Sequence, residues 1–182
     1  MVESPPVFNM PELITPRLMI VMGVSSCGKS SVASALAEKY EATFLDADDY
    51  HPASNIEKMS RGDALNDEDR WPWLQHFANT MAEQKGSAIG ACSALKRAYR
   101  ERLTKAAGEP ILFIHLHGTR DLLEQRIAAR ENHFMPPSLL QSQLATLESP
   151  DPDEHAITID ITGSKEQVIQ LINKHIKRNQ YE

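Results

Sequence analysis

The octapeptide Gly23-Val24-Ser25-Ser26-Cys27-Gly28-Lys29-Ser30 directly follows the apolar run Leu18-Met19-Ile20-Val21-Met22, and no other stretch constrains the fold as strongly. It matches G-x-x-x-x-G-K-[ST], and its context fits the pattern. The apolar run reads as a buried strand. Ser30 to Tyr40 reads as a helix, with Val32, Ala33, Leu36 and Ala37 on one face. Strand, loop and helix in this order aim backbone N–H groups at a polyphosphate on the positive end of the helix. Gly23, Val24, Ser25, Ser26, Cys27, Gly28, Lys29, Ser30 and Ser31 are therefore candidates for binding ATP. Within them, Lys29 is placed to reach the β- and γ-phosphates, and the Ser30 hydroxyl to hold Mg²⁺.

Ser26 stands where such loops often carry a third glycine, so a positive φ is expected there at some cost in strain. Cys27 lies beside Lys29 and a helix start, but a small buried filler is its expected role. Two cysteines in 182 residues exclude a disulfide framework and point to a reducing, cytoplasmic setting. Lys+Arg 19 against Asp+Glu 25 leaves a net charge of −6, which argues against a nucleic-acid or membrane-surface partner. No apolar run approaches the roughly 20 residues of a membrane span. Residues 1–16 contain four prolines and no basic residue, so neither a signal nor a transit peptide is expected. They read as a flexible arm before one domain spanning 17–182.

Further apolar runs at 42–46, 88–92, 111–116 and 156–161 alternate with helical patterns. Five short strands separated by helices predict an α/β fold: a five-stranded parallel sheet with helices on both faces. Two additions are expected: a helical cap over about 53–73, and a lid over about 131–137 marked by Pro136-Pro137. A helix is predicted from about Pro72 to Lys85, and another from about Ser138 to Glu148. Ligands of such sheets lie beyond the carboxyl ends of the strands. There the sequence places the phosphate loop, the string Asp46 to His51, the segment Ser93 to Arg97, and His117-Gly118. His115 and His117 read as strand residues, and Arg100, Arg102 and Lys105 as a solvated face.

Five strings carry a resemblance: DADDYHPASNIEKM at 46–59, GDALNDEDRWPWL at 62–74, CSALKRAYRERL at 92–103, HLHG at 115–118 and ENHFMPPSLLQSQLATLE at 131–148. In this order they resemble the gluconokinases, small P-loop kinases of the shikimate-kinase and nucleoside-monophosphate-kinase group. The resemblance runs from about Leu18 to Glu148, with Ser26, Cys27 and the proline-rich arm as departures. It implies phosphorylation of D-gluconate to 6-phosphogluconate by ATP with Mg²⁺, a mobile lid, and a homodimer as a frequent assembly. Asp48 resembles the group's aspartate that holds the acceptor hydroxyl, and Asp46 one near Mg²⁺. Arg126 and Arg130 resemble lid arginines that close on ATP and the transferring phosphoryl.

The residues by themselves fit that chemistry. Asp46 and Asp48, two apart at a strand end, point to one side. Lys29, Asp48 and Arg130 are the catalytic candidates. A sugar-acid carboxylate calls for a cation, and Arg61, Arg70, Lys96 and Arg97 are available, with His51 as a partner for a hydroxyl. Trp71, Trp73 and Met135 read as packing. Two rivals stand: a kinase for another small acceptor such as shikimate or a nucleotide, separable by an acceptor screen, and a non-catalytic nucleotide-binding module, which needs no second polar pocket.

Overall fold

The structure, a computed structural model, describes residues 16–129 and 137–178. Its strands are β1 (Leu18–Met22), β2 (Thr43–Asp46), β3 (Ala88–Ala91), β4 (Ile111–His117) and β5 (Ala156–Asp160). Its helices are α1 (Lys29–Lys39), α2 (Ala53–Ser60), α3 (Asp67–Ala82), α4 (Arg97–Ala107), α5 (Arg120–Ala128), α6 (Pro137–Thr146) and α7 (Lys165–Arg178), with a 3₁₀ turn over Ala47–Tyr50. The strands form one parallel sheet in the order β2-β3-β1-β4-β5.

Strand β1 is apolar at every position because both of its faces are covered. Met19 and Val21 face one side, where α1 supplies Val32, Ala33 and Leu36, and α7 supplies Val168, Ile172 and Ile176. Leu18, Ile20 and Met22 face the other, against Leu74, Phe77 and Met81 of α3 and Leu103 of α4. Alternate residues of one strand thus feed two separate cores. The predicted α/β sheet is present, and the neighbours of β1 on either side, β3 and β4, leave a crevice at their carboxyl ends.

Two sequence expectations change. The helix expected from about Pro72 begins at Asp67, with Pro72 inside it. Asn66 and Asp69 form a reciprocal capping box, and Asp67, Glu68 and Asp69 complement the helix dipole. These offset the single backbone hydrogen bond that Pro72 cannot donate. Residues 53–73 are therefore α2, a turn, and the first turns of a long core helix. The second change is Arg100, expected on a solvated face but only 2% exposed. Its Nε and Nη2 donate to Glu154, and its Nη1 donates to the carbonyls of Ala94 and Leu95. Lys105 is exposed, whereas Arg102 is half-buried. The lid expected at 131–137 and the arm at 1–16 fall almost wholly outside the described residues, as do Arg130 and Met135. Among the described residues no helix is long and apolar enough to cross a membrane.

Candidate active site

The phosphate loop occupies the turn between β1 and α1, held from three sides. Gly23 donates its N–H to Ser93 O at 3.2 Å, which ties the loop to the end of β3. Its φ is 141°, and a Cβ there would stand 2.9 Å from both Leu116 O and Cys27 Sγ, so glycine is required. Arg126 of α5 donates to Cys27 O at 3.4 Å and to Ile161 O at 2.8 Å, bracing the loop against the end of β5. Gln143 of α6 accepts the Ser25 N–H at 2.7 Å. Ser26 adopts φ 65°, the left-handed conformation anticipated for that position, and its hydroxyl is buried without a partner among the described residues. Burial pushes the Cys27 thiol up against the opposing pull of Lys29 and Arg126, which keeps it a protonated filler. Gly28, at φ 95°, ends the loop where α1 begins.

Lys29 folds its ammonium back onto Val24 O at 3.0 Å, across the loop's mouth. Ser30 Oγ donates to Asp46 Oδ2 at 2.7 Å, joining the start of α1 to the end of β2. The other Asp46 oxygen accepts the Asp48 N–H at 3.1 Å and caps the 3₁₀ turn that carries Asp48. Lys29, Asp46 and Asp48 all act electrostatically on the thiol of Cys92 at the end of β3, where burial is the main force and holds it at about 12. These three charges, supplied by three different segments, therefore share one crevice. Hydroxyl and carboxylate oxygens suit a hard divalent ion such as Mg²⁺, which takes few protein ligands and completes its shell with water and phosphate. Among the described residues no cluster of three or more His, Cys, Asp or Glu offers a richer metal cage.

Asp48 is displaced upward from the usual aspartate range. Burial in the crevice is the first cause and the Asp46 carboxylate the second, with His51 and Lys29 pulling the other way. Its side chain is nevertheless 88% exposed, so water screens much of this effect. His51 Nε2 stands 4.0 Å from Asp48 Oδ1, beyond a hydrogen bond. Its ring stacks on Trp73 at 4.1 Å between centroids, and Nδ1 lies 3.4 Å from Asn55 Nδ2. Burial, with Arg70 assisting and Asp48 opposing, lowers the His51 value and favours its neutral form. Trp73 also donates its indole N–H to Ala47 O at 2.7 Å. It packs as expected, and it positions the acidic string.

Of the four candidate cations, two come together. Arg70 Nη1 and Lys96 Nζ approach Asp67 at 3.5 and 3.1 Å, and both lie over the Tyr99 ring, at 5.5 and 5.4 Å from its centroid. Arg61 pairs with Glu57 and Asp63 in an exposed local group. Arg97 turns away to Glu101, Asp151 and Asp153. Neither joins the group around Asp67. Sequence reasoning missed Asp67, Tyr99, Gln143 and the buried pair Arg100–Glu154. Tyr99 is three residues after Lys96 on one helix face, a spacing that could have revealed it; Glu154 lies 54 residues from Arg100, and no local signal connects them. A concavity of about 430 Å³ beside α7 is lined by residues such as Val168, Leu171 and Lys174. It holds none of the crevice's charges and offers nothing for phosphoryl transfer.

A glycine loop opening a helix beside a central parallel strand, with a lysine and an acidic strand end across from it, defines a P-loop kinase. The sequence model of the family described as an AAA domain matches residues 18–150. The gluconokinase of Gluconobacter oxydans is 43% identical over 167 residues, covering 90% of this chain and 93% of that protein. The thermoresistant gluconokinase of Escherichia coli is 42% identical, covering 89% and 94%. The crystal structure of a gluconokinase from Sinorhizobium meliloti superposes with a TM-score of 0.84 at 40% identity, covering 92% of this chain and 95% of that one. The chain belongs to the gluconokinase family.

Proposed function

We propose that this protein phosphorylates D-gluconate at its 6-hydroxyl with ATP, releasing 6-phospho-D-gluconate and ADP. The observation that carries the reading is the meeting of the phosphate loop's Lys29 and Ser30 with the carboxylates of Asp46 and Asp48 at the end of β2, while Arg70 and Lys96 gather on Asp67 at the start of α3. A nucleotide switch has no use for the second group. An acceptor kinase requires it.

The loop's N–H groups and the Lys29 ammonium hold the β- and γ-phosphates and offset the charge that spreads over the transferring phosphoryl oxygens. Asp48 accepts a hydrogen bond from the 6-hydroxyl, aligns its oxygen with phosphorus, and takes its proton as the new O–P bond forms and the bond to the ADP oxygen breaks. Asp46 and Ser30 would hold Mg²⁺, which when bound neutralises phosphate charge. Neutral His51 is available to a hydroxyl of the sugar chain, and Arg70 and Lys96 to its carboxylate. We place this activity in the cytoplasm, a reading supported by the free thiols of Cys27 and Cys92.

The test is a coupled assay of ADP release with gluconate, related sugar acids, shikimate and nucleoside monophosphates. Gluconate is expected to give the highest kcat/KM. Asp48→Asn is expected to lower kcat by about 10²- to 10⁴-fold with little change in MgATP affinity. Asp49→Asn, the control, should stay near wild type. If Asp49→Asn were the crippled variant, the acceptor carboxylate would be misassigned.

A further inference from the structure

Arg70 and Lys96 do not stand as bare cations. Asp67 lies between them, accepting from Lys96 Nζ at 3.1 and 3.2 Å, from Arg70 Nη1 at 3.5 Å and from the Tyr99 hydroxyl at 2.5 Å. The helix end does not by itself account for this carboxylate, because Asn66 and Asp69 cap α3 and, with Glu68, Asp69 still complements its dipole without Asp67. Nor do the cations need a counter-ion to remain in place. Their side chains are half-buried, 29% and 33% exposed, and each keeps part of its water, so this carboxylate is not their only source of compensation. The three side chains are pre-arranged all the same. Lys96 is fixed at the start of α4, and Tyr99 is buried, so its ring and hydroxyl form a rigid seat. Asn55 Nδ2 donates to Asp69 O at 2.9 Å and lies 3.4 Å from His51 Nδ1, and His51 stands 4.0 Å from Asp48, so the first turn of α3 that carries the cluster adjoins the residue beside the acceptor carboxylate.

We propose that Asp67 is a specificity-determining residue that trims this end of the acceptor pocket to one net positive charge, selecting an acceptor with a single negative charge there. Two cations and one carboxylate leave a surplus of one. An aldonate carboxylate matches that surplus. A neutral polyol leaves it uncompensated, while a doubly charged phosphate meets the fixed Asp67 carboxylate as a like charge. Discrimination against the dianion is thus achieved by a built-in repulsion. This inference rests on gluconate being the acceptor, and it deepens that reading by naming the feature of gluconate that is counted.

Three acceptors sharing one carbon skeleton test it: D-gluconate, neutral D-glucitol, and D-glucitol carrying a phosphate at C1. Wild-type protein is expected to prefer gluconate over both. Asp67→Asn keeps the shape and an acceptor for Tyr99 but raises the net charge, so kcat/KM for the phosphate relative to gluconate should rise about tenfold or more. Asp67→Glu restores the charge and should restore the wild-type ratio. Tyr99→Phe, which removes a hydroxyl but no charge, should also keep it. Lys96→Met approaches the rule from the other side: the surplus falls to zero, and glucitol should gain about tenfold on gluconate. This arm stands even if Asp67→Asn fails to fold. A merely structural Asp67 would lower kcat/KM for all three acceptors together. Unchanged ratios in Asp67→Asn or in Lys96→Met would overturn the inference while leaving gluconate phosphorylation intact. A wild-type protein inert toward gluconate but active on another acceptor would instead overturn the functional reading.

Discussion

Acid is expected to loosen this fold through His115 before it protonates the paired carboxylates. His115 lies in β4, 1% exposed, with its Nδ1 3.5 Å from Thr158 Oγ1, too long for a strong hydrogen bond. Burial, then the neighbouring His117, then the Arg100 charge all disfavour the imidazolium, so the folded value falls from 6.5 to about 4. The sign follows from linkage. Above 6.5 the imidazole is neutral in both states and nothing is lost. Below it the unfolded chain takes up a proton that the folded chain refuses until about 4, so stability drains away across that window. At about 1.4 kcal/mol per pH unit the full window is worth about 3 kcal/mol, of which about 2 kcal/mol should be lost between pH ~7 and pH ~4.5. Urea unfolding at those two pH values, followed by circular dichroism, measures it. His115→Leu fills the same apolar site without a titrating group and should lose about 2 kcal/mol less than wild type over the interval. Glu154, held low by Arg100, and Asp67, held low by Tyr99 and Lys96, give way at lower pH in both proteins and cancel in the difference. Equal losses in the two proteins would refute the assignment.

Ser26→Gly should raise stability by about 1 kcal/mol, read by the urea midpoint, because it relieves a positive φ and removes a buried hydroxyl without a partner among the described residues. Glu154→Gln should cost about 3–5 kcal/mol, since it strands the buried Arg100 guanidinium that supports Ala94 and Leu95 beneath the crevice; a loss under about 1 kcal/mol would mean that Arg100 finds water instead. Lys29→Met should abolish nearly all turnover while leaving the unfolding midpoint within the experimental error of wild type, because its ammonium supports the loop's mouth and not the core. The acid limb of kcat/KM should lie above the range of an isolated aspartate, as the upward displacement of Asp48 requires; a limb at or below that range would show that Lys29 outweighs burial and Asp46.

The octapeptide from Gly23 to Ser30, the apolar runs and the spacing between them were enough to define a parallel sheet with its chemistry at the strand ends. Those signals are local: a strand buried on both faces must be apolar throughout, and a loop that cradles phosphate must combine glycines with a lysine at fixed spacing. The left-handed backbone at Ser26 was legible for the same reason. The start of α3 was also written in the sequence, as Asn66 and Asp69, but Pro72 is a louder signal and hid it. What only the tertiary structure decided was which charges meet. The sequence offers Arg61, Arg70, Lys96 and Arg97 on equal terms, and packing of α3 against α4 brings Arg70 and Lys96 to Asp67 over the Tyr99 ring while Arg97 turns to Asp151 and Asp153. Arg100 is buried because a carboxylate 54 residues away and two carbonyls close around it. Hydrophobic period follows from the repeat of one element, whereas an ion pair between distant segments depends on how several elements dock, and no local spacing encodes that.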